Sequence, residues 1–251
     1  MLDKLGVNMK RAAIGFWSLA VAAALLTALP ASADEAKAGV WDPLESVNRG
    51  VYSFNSAFDD SVAHQVATAY DSTVPESVRA GVDNVFTNLR EPLTVVASGL
   101  SGDLKNAGLS AGRFAINTTA GIGGIYDVAT GMGWVSRPAD FGMTMCHYNV
   151  PAGPYLVLPF IGASTARDAV GVLAAYWAAF WTLEGWAPTY IVADRAAAYV
   201  ATPAAGAAAA APADGYAAQR DQFVALRAGA CDGGAGLKAG PFGEVTTAPH
   251  S

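Results

Sequence analysis

Cys146 and His147 stand side by side, a pairing that invites a thiol nucleophile with an adjacent base, and Asp140 or Asp168 to orient the ring. Neighbouring residues point in different directions unless the backbone bends, and a base must reach the sulfur within hydrogen-bond distance. We therefore read His147 as a structural histidine, hydrogen-bonded within its own segment. The only histidines are His64, His147 and His250, too scattered for a metal, and neither Cys146 nor Cys231 has a C-x-x-C partner. Gly108-Leu109-Ser110-Ala111-Gly112 spells G-x-S-x-G, but it falls inside an expected helix and not at the strand-to-helix turn of a nucleophile elbow, so that elbow is missing. Gly121-Ile122-Gly123-Gly124 is not a dinucleotide fingerprint, because Tyr126 stands where a third spaced glycine is needed and no Gly-Lys-Ser/Thr follows. Arg167-Asp168 suits an ion pair or, as we read it, the cap of a following helix opened by Ser164 and Thr165. The reading is of a protein that is not an enzyme and needs no metal or cofactor.

The elements that would position these groups are mostly helical. Asp42-Pro43-Leu44-Glu45 has the form of a helix start, with Asp42 as N-cap. Leu44, Val47, Val51, Phe54 and Phe58 then form one stripe, suited either to packing on a core or to lying in a bilayer interface. Further helices are expected over Val62 to Tyr70 and from Pro75, the latter burying Val78, Val82, Val85, Phe86 and Leu89 before Arg90-Glu91-Pro92 stops it. A turn at Ser101-Gly102-Asp103 leads into a helix from Leu104 to Thr119, where Gly108 and Gly112 are spaced to admit a neighbouring helix. Ile125 to Arg137 is expected to be a hairpin-like loop with an apolar tip at Met132 and Trp134.

Phe141 to Asp168 mixes apolar side chains with Pro151, Pro154, Pro159, Gly142, Gly153 and Gly162, which predicts a rigid, non-helical collar at an apolar site. Beyond it, an apolar helix over Ala169 to Trp181, a broken helix to Tyr199, a low-complexity linker over Ala201 to Ala213 and a last helix over Tyr216 to Arg227 are expected.

The N-terminus has the pattern of an export signal: Lys10 and Arg11, an apolar run from Ala12 to Leu29, then Ala31-Ser32-Ala33. Met9 is the natural start of such a signal. This divides the chain into a signal peptide over 1–33, a helical domain over 34–230 and a flexible tail over 231–251. With 15 basic against 21 acidic residues the net charge is −6, and losing the signal makes it more acidic, which argues against nucleic acid as a partner. In an oxidising compartment a disulfide between Cys146 and Cys231 is possible, but nothing local fixes its geometry, and two free or buried thiols are the favoured reading.

Three motifs in the collar are FG-x-T-x-x-HY from Phe141, GPY-x-x-LPF-x-G from Gly153 and T-x-RD from Thr165. Together with DPLESVNR at Asp42, FTNLREP ending at Pro92, GRFAINTTAGIGGIYDVA from Gly112, WTLEG at Trp181 and DGYAAQRDQF at Asp214, the pattern resembles the MlaA (VacJ) family, outer-membrane components of a phospholipid-trafficking system in Gram-negative bacteria. The resemblance covers most of the mature chain. It implies a mainly α fold, a ring of short amphipathic helices around a central amphipathic channel, lying in one leaflet without spanning the membrane.

It further implies non-enzymatic removal of mislocalised phospholipid from the outer leaflet of the outer membrane, with delivery to a periplasmic lipid-carrier protein and a porin trimer as neighbour. The periplasmic leaflet of the outer membrane is the expected location. On this basis the lipid passage is assigned to Gly123, Gly124, Asp127, Met132, Trp134, Arg137, Phe141, His147 and Tyr155. An envelope scaffold that binds a porin and carries no lipid is the alternative. The chain departs from the family in having Ala33-Asp34 where a lipoprotein cysteine stands, a shorter loop, Cys146 in place of a glycine, and Phe180 before Trp181.

Overall fold

The structure, a computed structural model, describes residues 40–182, 187–201, 214–231, 238–239 and 245–246. The expected signal peptide, the linker and most of the tail lie outside these, as does most of the WTLEG motif. Among the described residues, helices α1 (Glu45–Phe58), α2 (His64–Thr73), α3 (Glu76–Leu100) and α4 (Leu104–Thr119) come first. The one-turn helix α5 (Val128–Gly131) and the short α6 (Phe141–His147) follow. A hairpin of β1 (Tyr155–Leu158) and β2 (Gly162–Thr165) leads into α7 (Ala166–Thr182), then α8 (Ala187–Ala201) and α9 (Gly215–Cys231). Lys238–Ala239 and Val245–Thr246 form a further small antiparallel pair. None of the described helices is long and apolar enough to cross a membrane.

α1 begins at Glu45, with no side-chain cap. Asp42, expected there, instead accepts from Asn48 at 2.8 Å and from the Tyr216 hydroxyl. A five-residue π-helical turn, Asp59–Ala63, carries α1 directly into α2. α3 runs through Pro92 rather than stopping at Arg90-Glu91-Pro92. An interior proline deletes one backbone hydrogen bond and costs about 3 kcal/mol. Among the described residues α3 packs along α4 more extensively than any other pair of helices do, with contacts on both sides of that residue, Asn88 to Thr118 and Ser98 to Asn106, and this packing offsets the loss. Gly102 makes the turn between them at φ +78, and Asp103 caps α4 by accepting from the Asn106 N–H.

The collar is structured differently from expectation. Its first part is helical, because Asp140 caps α6 by accepting from the Met143 N–H at 2.8 Å. Its second part is a hairpin in antiparallel register, Tyr155 opposite Thr165 and Leu158 opposite Gly162. The prolines fall outside both strands, so the ladder loses no donor.

Two asparagines seven residues apart on α1 complete the hairpin. Asn48 donates to the Tyr155 carbonyl and accepts from the Val157 N–H, both at 2.9 Å. Asn55 donates to the Leu158 carbonyl at 3.1 Å and accepts from the Phe160 N–H at 3.0 Å. Each side-chain amide thus does what a strand's peptide group would do. Val157, Ala163, Tyr155, Tyr216 and Phe223 form the apolar core between α1, the hairpin and α9.

Elsewhere the burial is inverted. α3 buries Asn88, Glu91, Thr94 and Ser98 and exposes Val78, Leu89, Val96 and Leu100. α4 buries Asn106, Ser110, Arg113 and Asn117 and exposes Leu104. The stripe on α1 behaves alike, with Leu44, Val47 and Phe54 exposed. The expectation that Val78 and Leu89 would be core is overturned, since the polar stripe of α3 is the one that packs.

α7 starts at Ala166, where Thr165 accepts from the Asp168 N–H at 3.2 Å, so the capping reading and the Arg167–Asp168 ion pair (3.4 Å) both hold. Cys146 and Cys231 form a disulfide, joining the end of α6 to the end of α9. Cys231 thereby belongs to the packed body rather than to a tail.

Candidate functional site

The inward polar faces of α3 and α4 meet at Arg113, 1% exposed. Its guanidinium donates to Glu91 at 2.7 Å, to Thr130 Oγ1 at 2.9 Å, to both oxygens of Asp127 at 3.1 and 3.2 Å, and to the Trp134 carbonyl. Glu91, 2% exposed, also accepts from Ser136. One side chain therefore ties α3, α4, α5 and the return segment 134–136 together. Asp127 caps α5 and accepts from Thr130 and Asn117. Burial raises the Asp127 pKa, but hydrogen bonds from Thr130, Arg113 and Asn117 outweigh it and hold the carboxyl below the usual range.

The loop before α5 wraps the end of α4. The Gly123 and Gly124 N–H groups donate to the Thr118 and Asn117 carbonyls, both at 2.9 Å, at φ +72 and +97. A side chain on Gly124 would meet Asn88 at 2.8 Å, so a close approach to α3 requires glycine there. Ile125 to Arg137 is a single helical turn with an extended return, not a hairpin. Met132 and Trp134 are both exposed, Met132 more so, and one edge of the Trp134 ring is seated on Gly112. The Gly108/Gly112 pair therefore admits an indole, not a helix. Gly108 faces open space.

That space is a hollow of about 420 Å³ lined by Lys105, Asn106, Leu109, Trp134, Val135 and Arg137, along with Gly108 and Gly133. A second, of about 300 Å³, shares Asn106 and Arg137 and extends past Asp103 and Met143 to His147 and the disulfide. Asn106 is the partition: its Nδ2 donates to Ser98 Oγ at 2.8 Å and to the Arg137 carbonyl at 2.9 Å.

Of the residues assigned to a passage, Trp134, Arg137 and His147 line these hollows. Gly123, Gly124 and Asp127 build the frame behind them. Phe141 opens α6 and lines neither hollow. Tyr155 is 1% exposed and packs edge-on against Tyr216 and Phe223, so it is a core residue; burial raises its hydroxyl pKa. His147 is exposed on the last turn of α6, ring against ring with Tyr148, and is not the hydrogen-bonded structural histidine expected. Because Cys146 is oxidised in the disulfide, the pair offers no thiolate.

Glu91, Asn106, Ser110, Arg113 and Lys105 were not singled out from sequence. The signal was present in the recurrence of polar residues at 106, 110, 113 and 117, one helical face read from its polar side.

Behind the hollows, Arg227 from α9 binds Asp140 at 2.9 and 3.1 Å and Asp168 at 2.6 and 3.0 Å, fixing α6 to α7. Desolvation works against the charged form of Asp140, but the Arg227 charge together with hydrogen bonds from Arg227 and the Met143 and Gly142 N–H groups outweighs it and holds the carboxyl below its usual range. Among the described residues no cluster of His, Cys, Asp and Glu could hold a metal ion.

A profile of the MlaA lipoprotein family matches residues 40–229. An uncharacterized protein of Rickettsia prowazekii is 44% identical over 129 residues, 51% of each chain, so the chain spans about half the length of such rickettsial relatives. The intermembrane phospholipid transport system lipoprotein MlaA of Escherichia coli is 37% identical over 185 residues, 67% of this chain and 73% of that one. A solved structure described as the structural basis for maintenance of bacterial outer membrane lipid asymmetry superposes with a TM-score of 0.54 at 34% identity, covering 62% of this chain and 83% of the other.

Proposed function

The chain belongs to the MlaA lipoprotein family, and from that premise we propose that it is a non-enzymatic conduit, which takes mislocalised phospholipid from the outer leaflet of the outer membrane and passes it to a periplasmic lipid carrier. A porin trimer is the proposed neighbour, and the periplasmic leaflet the proposed location. The observation that carries this reading is the inverted burial of α1, α3 and α4, with aliphatic side chains outward and amides, hydroxyls and a buried ion pair inward. Such a body suits an apolar surrounding, since exposed apolar surface is costly in water and polar side chains are costly to bury unless they bond to one another.

The two hollows, which share Asn106 and Arg137 in their walls, offer a polar-walled place for a head group beside that apolar exterior. Trp134, Arg137 and His147 belong to this passage, and Met132 to its rim. Phe141 and Tyr155 we now assign to the supporting structure.

Gly108→Phe tests the proposal. A Cβ at Gly108 has no atom within 4 Å and points into open space, so the variant is expected to fold and accumulate normally while its ring fills the larger hollow. Cells relying on it should gain outer-leaflet phospholipid and detergent sensitivity. Unchanged lipid asymmetry at normal abundance would instead favour a scaffold role.

A further inference from the structure

In a chain with more acids than bases, nearly every described basic side chain is claimed. Each described arginine other than Arg137 and Arg195 has a carboxylate partner, and Arg195 donates to the Tyr176 hydroxyl. Lys105 and Arg137, both exposed, have no such partner among the described groups, and both line the same hollow. Two unpaired cations converging on one concavity are the expected complement of an anion.

The setting narrows which anion. Leu104, directly before Lys105, is 74% exposed, and Val135, two residues before Arg137, is 64% exposed. Leu109 and Val135 line the same hollow. Cations level with exposed aliphatic side chains are arranged as at a lipid interface, where long basic side chains reach head groups over an apolar stem. The backbone that carries each cation is held in place. Lys105 lies in the first turn of α4, and the Arg137 backbone is tied to that helix through Asn106 Nδ2. Asn106 is 6% exposed, and its Oδ1 has no hydrogen-bond partner among the described groups, which leaves an acceptor for a hydroxyl or ammonium brought by a ligand. Asp103, the nearest acid along α4, is already occupied in capping the Asn106 N–H at 2.9 Å.

We propose that this hollow seats the phosphate of a glycerophospholipid head group between Lys105 and Arg137, with the acyl chains along Leu104, Leu109 and Val135. The assignment rests on the conduit reading and adds to it the residues that distinguish a phospholipid from a neutral lipid.

The test compares phosphatidylglycerol with diacylglycerol, which lacks the phosphate, as ligands of the detergent-solubilised full chain in native mass spectrometry. The wild-type chain should prefer phosphatidylglycerol by at least about tenfold. Lys105→Gln with Arg137→Gln should erase that preference without changing helix content, since both side chains are exposed. Lys105→Arg with Arg137→Lys should restore it. If the glutamine variant keeps the preference, the head-group assignment falls and the conduit stands. If the wild-type chain retains neither lipid, the conduit falls as well. Equal competition by free inorganic phosphate, with no contribution from acyl chains, would overturn the lipid as its source.

Discussion

Arg113 is the residue on which the polar interior converges, and its energetics follow from what each partner would lose. Removing one member of a buried ion pair leaves the other charged and desolvated, at a cost of about 3–5 kcal/mol. Arg113→Ala is expected to lower stability by that amount in a denaturant titration. Glu91→Leu combined with Arg113→Met should cost less, since no lone charge remains. Asp140 makes a milder, pH-dependent contribution. Its folded-state pKa lies below the ordinary value of about 3.9, so the folded chain binds fewer protons and stability rises with pH across that window. The contribution is complete above about pH 4 and is lost as pH falls through the depressed value. Thermal melts should therefore show an acid limb that is shallower in Asp140→Asn. Both sets of residues sit in motifs visible in the sequence, yet nothing local in Arg-Glu-Pro or Gly-Arg-Phe says that Glu91 and Arg113 meet across 22 positions.

At the scale of elements, periodicity located the helices well. It told which residues share a face, and it does not by itself tell which medium that face meets. Leu44, Val47 and Phe54 were one stripe in the sequence and are one stripe in the fold, turned outward. Pro92 misled for a related reason, because a local rule about one lost hydrogen bond was outweighed by packing along 25 residues of α3. The collar hid its hairpin because the bonds that complete it come from side chains on α1, more than 100 residues earlier. Asn48→Ala removes one donor and one acceptor from buried backbone groups and is expected to cost about 2–4 kcal/mol in a denaturant titration. The disulfide closes a loop of 85 residues between α6 and α9. Cys231→Ser should lower stability by about 2–4 kcal/mol, with reductant reproducing the effect on the wild-type chain.

For the whole molecule, the outward aliphatic faces predict how it partitions. Val78→Glu with Val96→Glu places charge on the exposed stripe of α3, where neither side chain is needed for internal packing. Helix content should be unchanged while co-flotation with phospholipid vesicles falls. A protein with such a surface is vulnerable while it crosses water, above all wherever extended backbone could recruit another copy. At β1 that hazard is closed off: the Asn48 amide and the Trp41 carbonyl occupy the strand's outer rim, and the Asn55 amide holds the turn that follows. A stranger's strand finds nothing to zip onto, so these groups work as a guard against fibres. Losing both asparagines should show itself first as polymerisation on dilution from detergent, before any change in lipid handling.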